Sequence, residues 1–391
     1  MKYIDSALKT IYQAISEDGI LASSIPIDNY ARVWSRDAVM TGIVGVLLED
    51  KTIIDGLKSS LITLGNQQSP YGQIPSNVYF DKEKEAFQVS FGTLSGRVDA
   101  TTWWIIGACI YGKLDTLFAD TYKHKIYAAL NILNAWEMNN RGLIDTPMGG
   151  NWADEYLTFG YTLYDNVLRY WSLKLVASLY KDSEIEEKSH KVKEIIEANF
   201  NVNSASTLQF HKKAYEQIKN NSYDYWMSSF SASGYNTKWD MAGNSLALLL
   251  GLNDSERIVA FLEKLGSENG HNMFPVFYPI IKETDSEWNL LVQNHNYHFK
   301  NKPYHFHNGG AWPIFLGWLS LALHLNGANN YAKKILENYE LLMTQNEENM
   351  FREYWDTENL KPHGTNSLCF SAAGYLMMKE YNYNNIKNKL F

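Results

Sequence analysis

The sequence predicts an all-α fold, a toroid of six helical hairpins closed into one (α/α)6 barrel domain over residues 1–391. Three observations predict it. Apolar residues recur at helical spacing along most of the chain, and strand-like alternation is scarce. Successive helices alternate between apolar all round and apolar on one face. Polar and aromatic residues cluster just ahead of every second helix.

The spacing predicts twelve helices, over about 3–16, 37–49, 51–65, 99–112, 118–138, 162–181, 183–199, 240–251, 255–266, 311–326, 329–345 and 366–381. Every second one is the more apolar: TTWWIIGACIYG, NSLALLLGL and WPIFLGWLSLAL carry little charge. Their partners, such as KVKEIIEANF, ERIVAFLEKLG and NYAKKILENYELL, carry a charged stripe. A helix apolar on every side is buried and a striped one meets water, so an inner ring of six wrapped by an outer ring of six satisfies both patterns. The breaks are short. Gly251 closes one helix and Asn253 and Asp254 offer caps to the next. No Gly/Pro/Ser-rich linker divides the chain, so one domain is expected.

Composition narrows the partners. Hydrophobic residues at 45% allow a large core, and a net charge of −8 repels phosphate. Nucleic acid and anionic membrane surfaces are therefore not expected partners. Cys109 and Cys369 sit in apolar stretches and read as small buried hydrophobes. The first residues, MKYIDSALKTIYQAISEDG, lack the apolar core of a signal peptide. The longest apolar run, Ala311–Leu325, is interrupted by Ser320 and His324 and is too short to span a bilayer. A cytoplasmic protein is expected. Aromatics reach 14%, which serves a bulky core, a ring-lined cleft on which sugar faces stack, or both.

The clusters ahead of the inner helices are Trp34-Ser35-Arg36-Asp37, Gly96-Arg97-Val98-Asp99, Gly149 to Glu155, Lys238-Trp239-Asp240, His305 to Pro313 and Arg352 to Asp356. In a barrel of antiparallel pairs all inner N-termini share one mouth, where free N–H groups meet ligand oxygens. A single Asp at a helix start is explained by capping and the helix dipole. Six clusters in phase with the inner helices are not. The mouth gathers Asp37, Asp99, Asp154, Glu155, Asp240, Glu353 and Asp356 with Arg36, Arg97, Arg352 and several tryptophans. No phosphate loop, dinucleotide fingerprint, H-E-x-x-H or C-x-x-C is present. His305-Phe306-His307 resembles a metal pair, but no third ligand stands at a convincing spacing, so neither metal nor cofactor is expected. Paired carboxylates among rings suit acid/base cleavage of a glycosidic bond.

These motifs carry a resemblance. YARVWSRDAVM, GQIPSNV with SGRVDATTWW, NWADEYLTFGYTLYDNVL, WDMAGNSLALLLGL, HNGGAWP, and REYWD followed by SAAGYL are similar to those of helical-barrel glycoside hydrolases. That group includes neutral/alkaline invertases and bacterial amylo-α-1,6-glucosidase-like proteins, and more distantly glucoamylases and trehalases. The resemblance runs from about Tyr30 to Tyr375, HNGG-x-WP being its sharpest piece. It implies an inverting hydrolase with Asp154 as general acid, Glu155 as its immediate rival, and Glu353 as general base. It further implies that Arg36 and Asp37 grip the non-reducing sugar, with Asp99 at the same subsite. Trp34, Trp103, Trp152, Trp239, His307, Asn308 and Trp312 are expected as walls and hydroxyl contacts, and Asp240 and Tyr354 complete the substrate-binding set.

The chain is shorter than most such enzymes, which fits a small free saccharide, an α-glucoside or sucrose-like. Loop 201–238 is expected at the substrate lip. Asp154 is expected to stay protonated in an apolar, ring-lined pocket, across roughly 6.5–9.5 Å from Glu353, the gap an inverting enzyme leaves for water. Two other readings stay open at this point. One is a sugar epimerase using His305, His307 or His363; the other is a non-catalytic sugar-binding barrel. A homo-oligomer is also left open.

Overall fold

A computed structural model describes residues 3–379 and 385–391. Its helices are α1 (Ile4–Gln13), α2 (Ser35–Leu48), α3 (Lys51–Asn66), α4 (Val98–Gly112), α5 (Thr116–Ala135), α6 (Leu163–Tyr180), α7 (Ser183–Phe200) and α8 (Lys212–Ile218). They continue with α9 (Met241–Leu249), α10 (Ser255–Asn269), α11 (Trp288–Gln293), α12 (Pro313–Leu325), α13 (Asn329–Gln345), α14 (Cys369–Met378) and α15 (Ile386–Leu390). All twelve expected helices are present, and α8, α11 and α15 are short additions. The end expected for the last long helix, at 380 and 381, lies outside the described residues.

The inner ring closes. α2 packs on α4, α4 on α6, α6 on α9, α9 on α12, α12 on α14, and α14 back on α2. Outside it, α3, α5, α7 and α13 lie on α2, α4, α6 and α12, and α1 lies on α14. α10 turns Ile258, Phe261, Leu262 and Leu265 inward. This is an (α/α)6 barrel. Every residue of α4 is buried, as its unbroken apolar run requires. The barrel's interior is filled by Trp103, Trp171 and Trp318 from α4, α6 and α12, whose ring centroids stand 5.9–6.0 Å apart. α12 and α14 approach most closely at Gly317 and Gly374. A Cβ on Gly317 would meet the Gly374 carbonyl oxygen at 2.5 Å.

Helix starts differ between the rings in four helices of each, whereas inner α6 and α9 take side-chain caps from Thr162 and Asp240 and outer α1 and α13 have none. Outer helices α3, α5, α7 and α10 start on Asp50, Asp115, Asp182 and Asp254, each accepting an N–H of the first turn at 2.8–3.1 Å. Inner helices α2, α4, α12 and α14 start on Trp34, Arg97, Trp312 and Leu368, none of which caps its helix through a side chain. Those ends give up capping and present other chemistry at the mouth. Short antiparallel strands decorate this end. Val33–Trp34, Asn77–Asp81 and Ala86–Ser90 form one sheet, and Tyr354–Trp355 with Pro362–His363 forms a hairpin. No helix among the described residues is long and apolar enough to cross a membrane.

Candidate active site

A cavity of about 670 Å³ opens at the N-terminal end of the inner helices. Trp34, Arg36 and Asp37 reach it from the start of α2, Arg97 from α4, Trp312 from α12 and Phe370 from α14. The loop before α6 supplies Trp152, Asp154 and Glu155; the loop before α12 supplies His307; the segment after α13 supplies Glu353. Five of the six expected clusters thus meet at one place, joined by Phe370, while Lys238-Trp239-Asp240 does not reach the lining.

The structure places the other expected residues one layer back. Asp99 is buried beneath Arg36, accepting from its guanidinium at 3.3 Å. Trp103 belongs to the barrel core and donates to Tyr164 Oη at 2.8 Å, and Tyr164 donates to Asp99 at 3.3 Å. A hydrogen-bonded line therefore runs from the core to Arg36. Trp239 is fully buried between Tyr225 and Phe261. Asp240 caps α9 through Gly243 N–H at 3.2 Å. The Asn308 side chain staples loops, accepting from Ile281 N and donating to Ile281 and Asn301 carbonyls. Tyr354 stacks behind Trp312, centroids 5.9 Å apart. Periodicity locates a residue at a helix start but not the side its side chain takes, and these six point into protein. Loop 201–238 contributes nothing to the cavity lining; its strands Ser229–Ser231 and Gly234–Asn236 extend from Tyr161–Thr162.

The electrostatics are set by burial against a few cations. Arg36 pairs with Asp37 at 3.2 Å and with Asp99 at 3.3 Å. Burial disfavours its charge, but the two carboxylates outweigh that and hold it protonated. Burial in turn pushes Asp37 and Asp99 above the usual carboxylate range, with Arg36 opposing. Burial also raises Glu353, whose Oε1 accepts from Tyr30 Oη at 2.8 Å and whose Oε2 faces Thr365 N at 3.4 Å. Glu155 is raised by burial too, with Lys300 at 3.8 Å opposing. Asp154 is not in the apolar pocket expected of it. Its side chain is 28% exposed, and Oδ2 takes Arg97 Nη2 at 2.5 Å. His307 is buried, held neutral by that burial, and stacked on Trp312. His305 and His363 do not line the cavity.

Several lining residues escaped the sequence reading: Tyr30, Arg32, Asn77, Asn296, Lys300 and Thr365. For Tyr30 and Arg32 a signal existed. They belong to the YARVWSRD motif and precede Trp34 by four and two positions, close to a cluster already singled out. Lys300 and Asn296 sit on a long connection with no pattern to mark them.

A helical toroid with several carboxylates lining one aromatic cavity at its mouth defines the class: this is a glycoside hydrolase of the (α/α)6-barrel kind. Comparison with known proteins bears this out. The chain belongs to the alkaline and neutral invertase family, glycoside hydrolase family 100, whose sequence profile matches residues 161–385. It is 23% identical to probable alkaline/neutral invertase D of Arabidopsis thaliana over 416 aligned positions, covering 90% of this chain and 75% of the plant protein. In structure it is similar to the GH63 mannosylglycerate hydrolase of Thermus thermophilus, with a TM-score of 0.68 at 14% identity over 95% of this chain and 99% of that one. A bacterial glucoamylase solved with acarbose matches with a TM-score of 0.62 at 12% identity, covering all of this chain and 56% of that one.

Proposed function

We propose that the protein hydrolyses a small α-glucoside or sucrose-like saccharide with inversion, Asp154 acting as general acid and Glu353 as general base. The observation that carries this reading is that both carboxyl-bearing loops line one cavity of about 670 Å³, a volume that suits a short saccharide. The name invertase, shared by the family and its plant members, favours sucrose. The two cysteines are buried and unpaired, in keeping with a reducing, cytoplasmic setting.

In this reading one sugar ring lies between the Arg36–Asp37 pair and the rings of Trp312 and His307. Glu353, ionised, draws a proton from water. The water oxygen bonds to the anomeric carbon as the bond to the leaving oxygen breaks on the opposite face. Asp154 gives that oxygen its proton. Arg97 occupies Asp154 Oδ2 and leaves Oδ1 to carry it.

A second reading has Glu155 as the acid, because it is the more buried carboxyl and its Oε2 has no hydrogen-bond partner among the described residues. The variants separate the two. Asp154→Asn and Glu353→Gln should each lower kcat by roughly 10²–10⁴-fold with folding intact, while Glu155→Gln stays within about tenfold of wild type. The reverse pattern between Asp154 and Glu155 would hand the role to Glu155. Proton NMR of the first-formed sugar tests inversion, and a product that keeps the substrate's anomeric configuration would sink it. Fructose release from sucrose, assayed beside a panel of α-glucosides, identifies the substrate.

A further inference from the structure

Behind Tyr354, away from the hydrolytic cavity, three potential ligands from two stretches converge: His305 from the loop before α12, and Asp356 and His363 from one hairpin. One ligand atom from each lies within 4.8 Å of the other two. The imidazoles of His305 and His363 stand 4.9 Å apart, centroid to centroid, and His363 Nε2 is 2.9 Å from Asp356 Oδ2. We propose that this triad is a binding site for a divalent transition metal of the zinc type, joining the loop before α12 to the hairpin Tyr354–Trp355/Pro362–His363.

The chemistry of the donors selects the ion. Two imidazole nitrogens and one carboxylate oxygen suit zinc, cobalt or nickel, whereas magnesium and calcium take oxygen shells. Three protein ligands leave a fourth position for water. That position has access to solvent, since the His363 side chain is 35% exposed. The carboxylate is held ready. Asp356 is buried, and its oxygens accept the N–H groups of Glu358, Asn359 and Lys361, which fixes the hairpin turn around it. Those bonds orient a ligating carboxylate much as outer-shell donors do in known metal sites. His363 is set by the ladder opposite Tyr354 and by stacking on its ring. His305 has no ring hydrogen bond among the described residues, which leaves its ring nitrogens free to ligate.

The consequence is local stiffening next to the chemistry. At its open end the strand pair carries Glu353 on one strand and Thr365 beyond the other, joined by Glu353 N–H to the Thr365 carbonyl at 3.0 Å. An ion on the triad would fasten that pair to the loop before α12.

The test uses untagged full-length protein, stripped with a chelator and titrated with zinc ion in a calorimeter. Cobalt is added separately and followed by its visible absorption. One ion per chain is expected, with a rise in Tm. His305→Ala and His363→Ala should each weaken zinc binding on the order of 100-fold and abolish the Tm rise. Circular dichroism checks that each variant folds. If His363→Ala does not fold, His305→Ala decides, because the His305 ring holds no other element by a hydrogen bond among the described residues. No saturable zinc binding, or binding unchanged in His305→Ala, overturns the proposal.

Discussion

Tyr30 holds Glu353 by a 2.8 Å hydrogen bond inside the protein, and that bond favours the ionised carboxylate against the burial that raises it. A general base works only when ionised, so activity should fall as pH drops through the raised pKa of Glu353, above its ordinary 4.5. Tyr30→Phe removes the donor. The acid limb of kcat/KM should then move to higher pH, with a loss on the order of tenfold at pH values on that limb. An unmoved limb would show that Glu353 does not set it. The aromatic and charged residues of the mouth were legible in the sequence because they recur in clusters at the starts of successive inner helices. What could not be read was depth. Asp99 and Asp37 look alike in sequence, each in the first turn of an apolar helix. Only the packing puts Asp37 on the cavity and Asp99 beneath Arg36.

At the scale of elements, the hairpin that follows Glu353 depends on Gly364. Its φ of +77° is a left-handed conformation that side chains resist, and a Cβ there would come within 2.3 Å of Glu353 Oε2. Gly364→Ala should therefore act twice. Backbone strain costs about 1 kcal/mol or more of stability, and displacement of the carboxylate should lower kcat on the order of 100-fold. Thermal melts and steady-state kinetics on the same preparation check both, and a variant with wild-type kcat would mean Glu353 tolerates the shift. The twelve long helices were legible because the outer ones are periodic, the inner ones are unbroken apolar runs, and short breaks separate them, as where Asp254 starts α10. The strands were not. Val33–Trp34 and Tyr354–Trp355 are two residues each, too short to show alternation, and the partner of the first, Asn77–Asp81, lies far along the chain. The same non-locality hid the triad of His305, Asp356 and His363, because a turn folded on Asp356 brings in ligands that no fixed spacing announces.

The molecule as a whole buries many acids around its mouth, and this links stability to pH. Asp165 at the start of α6 accepts from Thr162 Oγ1 at 2.6 Å and Thr146 Oγ1 at 3.1 Å, tying both ends of the loop that carries Asp154 and Glu155. Burial pushes it up to about 8, and pushes Asp240 at the start of α9 up to about 7. Both begin from an ordinary 3.8. An acid whose pKa is higher folded than unfolded binds its proton more tightly when folded. Its stabilising contribution is therefore full below about pH 4 and is lost as pH rises through 7 and 8. Glu353 and Glu155 are raised as well, so the fold favours protonated acids while the proposed base must be ionised. Active sites commonly carry this conflict. Tm should fall between about pH 5.5 and 8.5, by several degrees in all, before any lysine loses its proton. Asp165→Asn keeps an acceptor for Thr162 and cannot ionise, so its Tm should decline less over the same range and exceed that of wild type at the alkaline end. Parallel Tm–pH curves for wild type and Asp165→Asn would show instead that Asp165 is ionised throughout, with Thr162 and Thr146 sufficient to hold its charge.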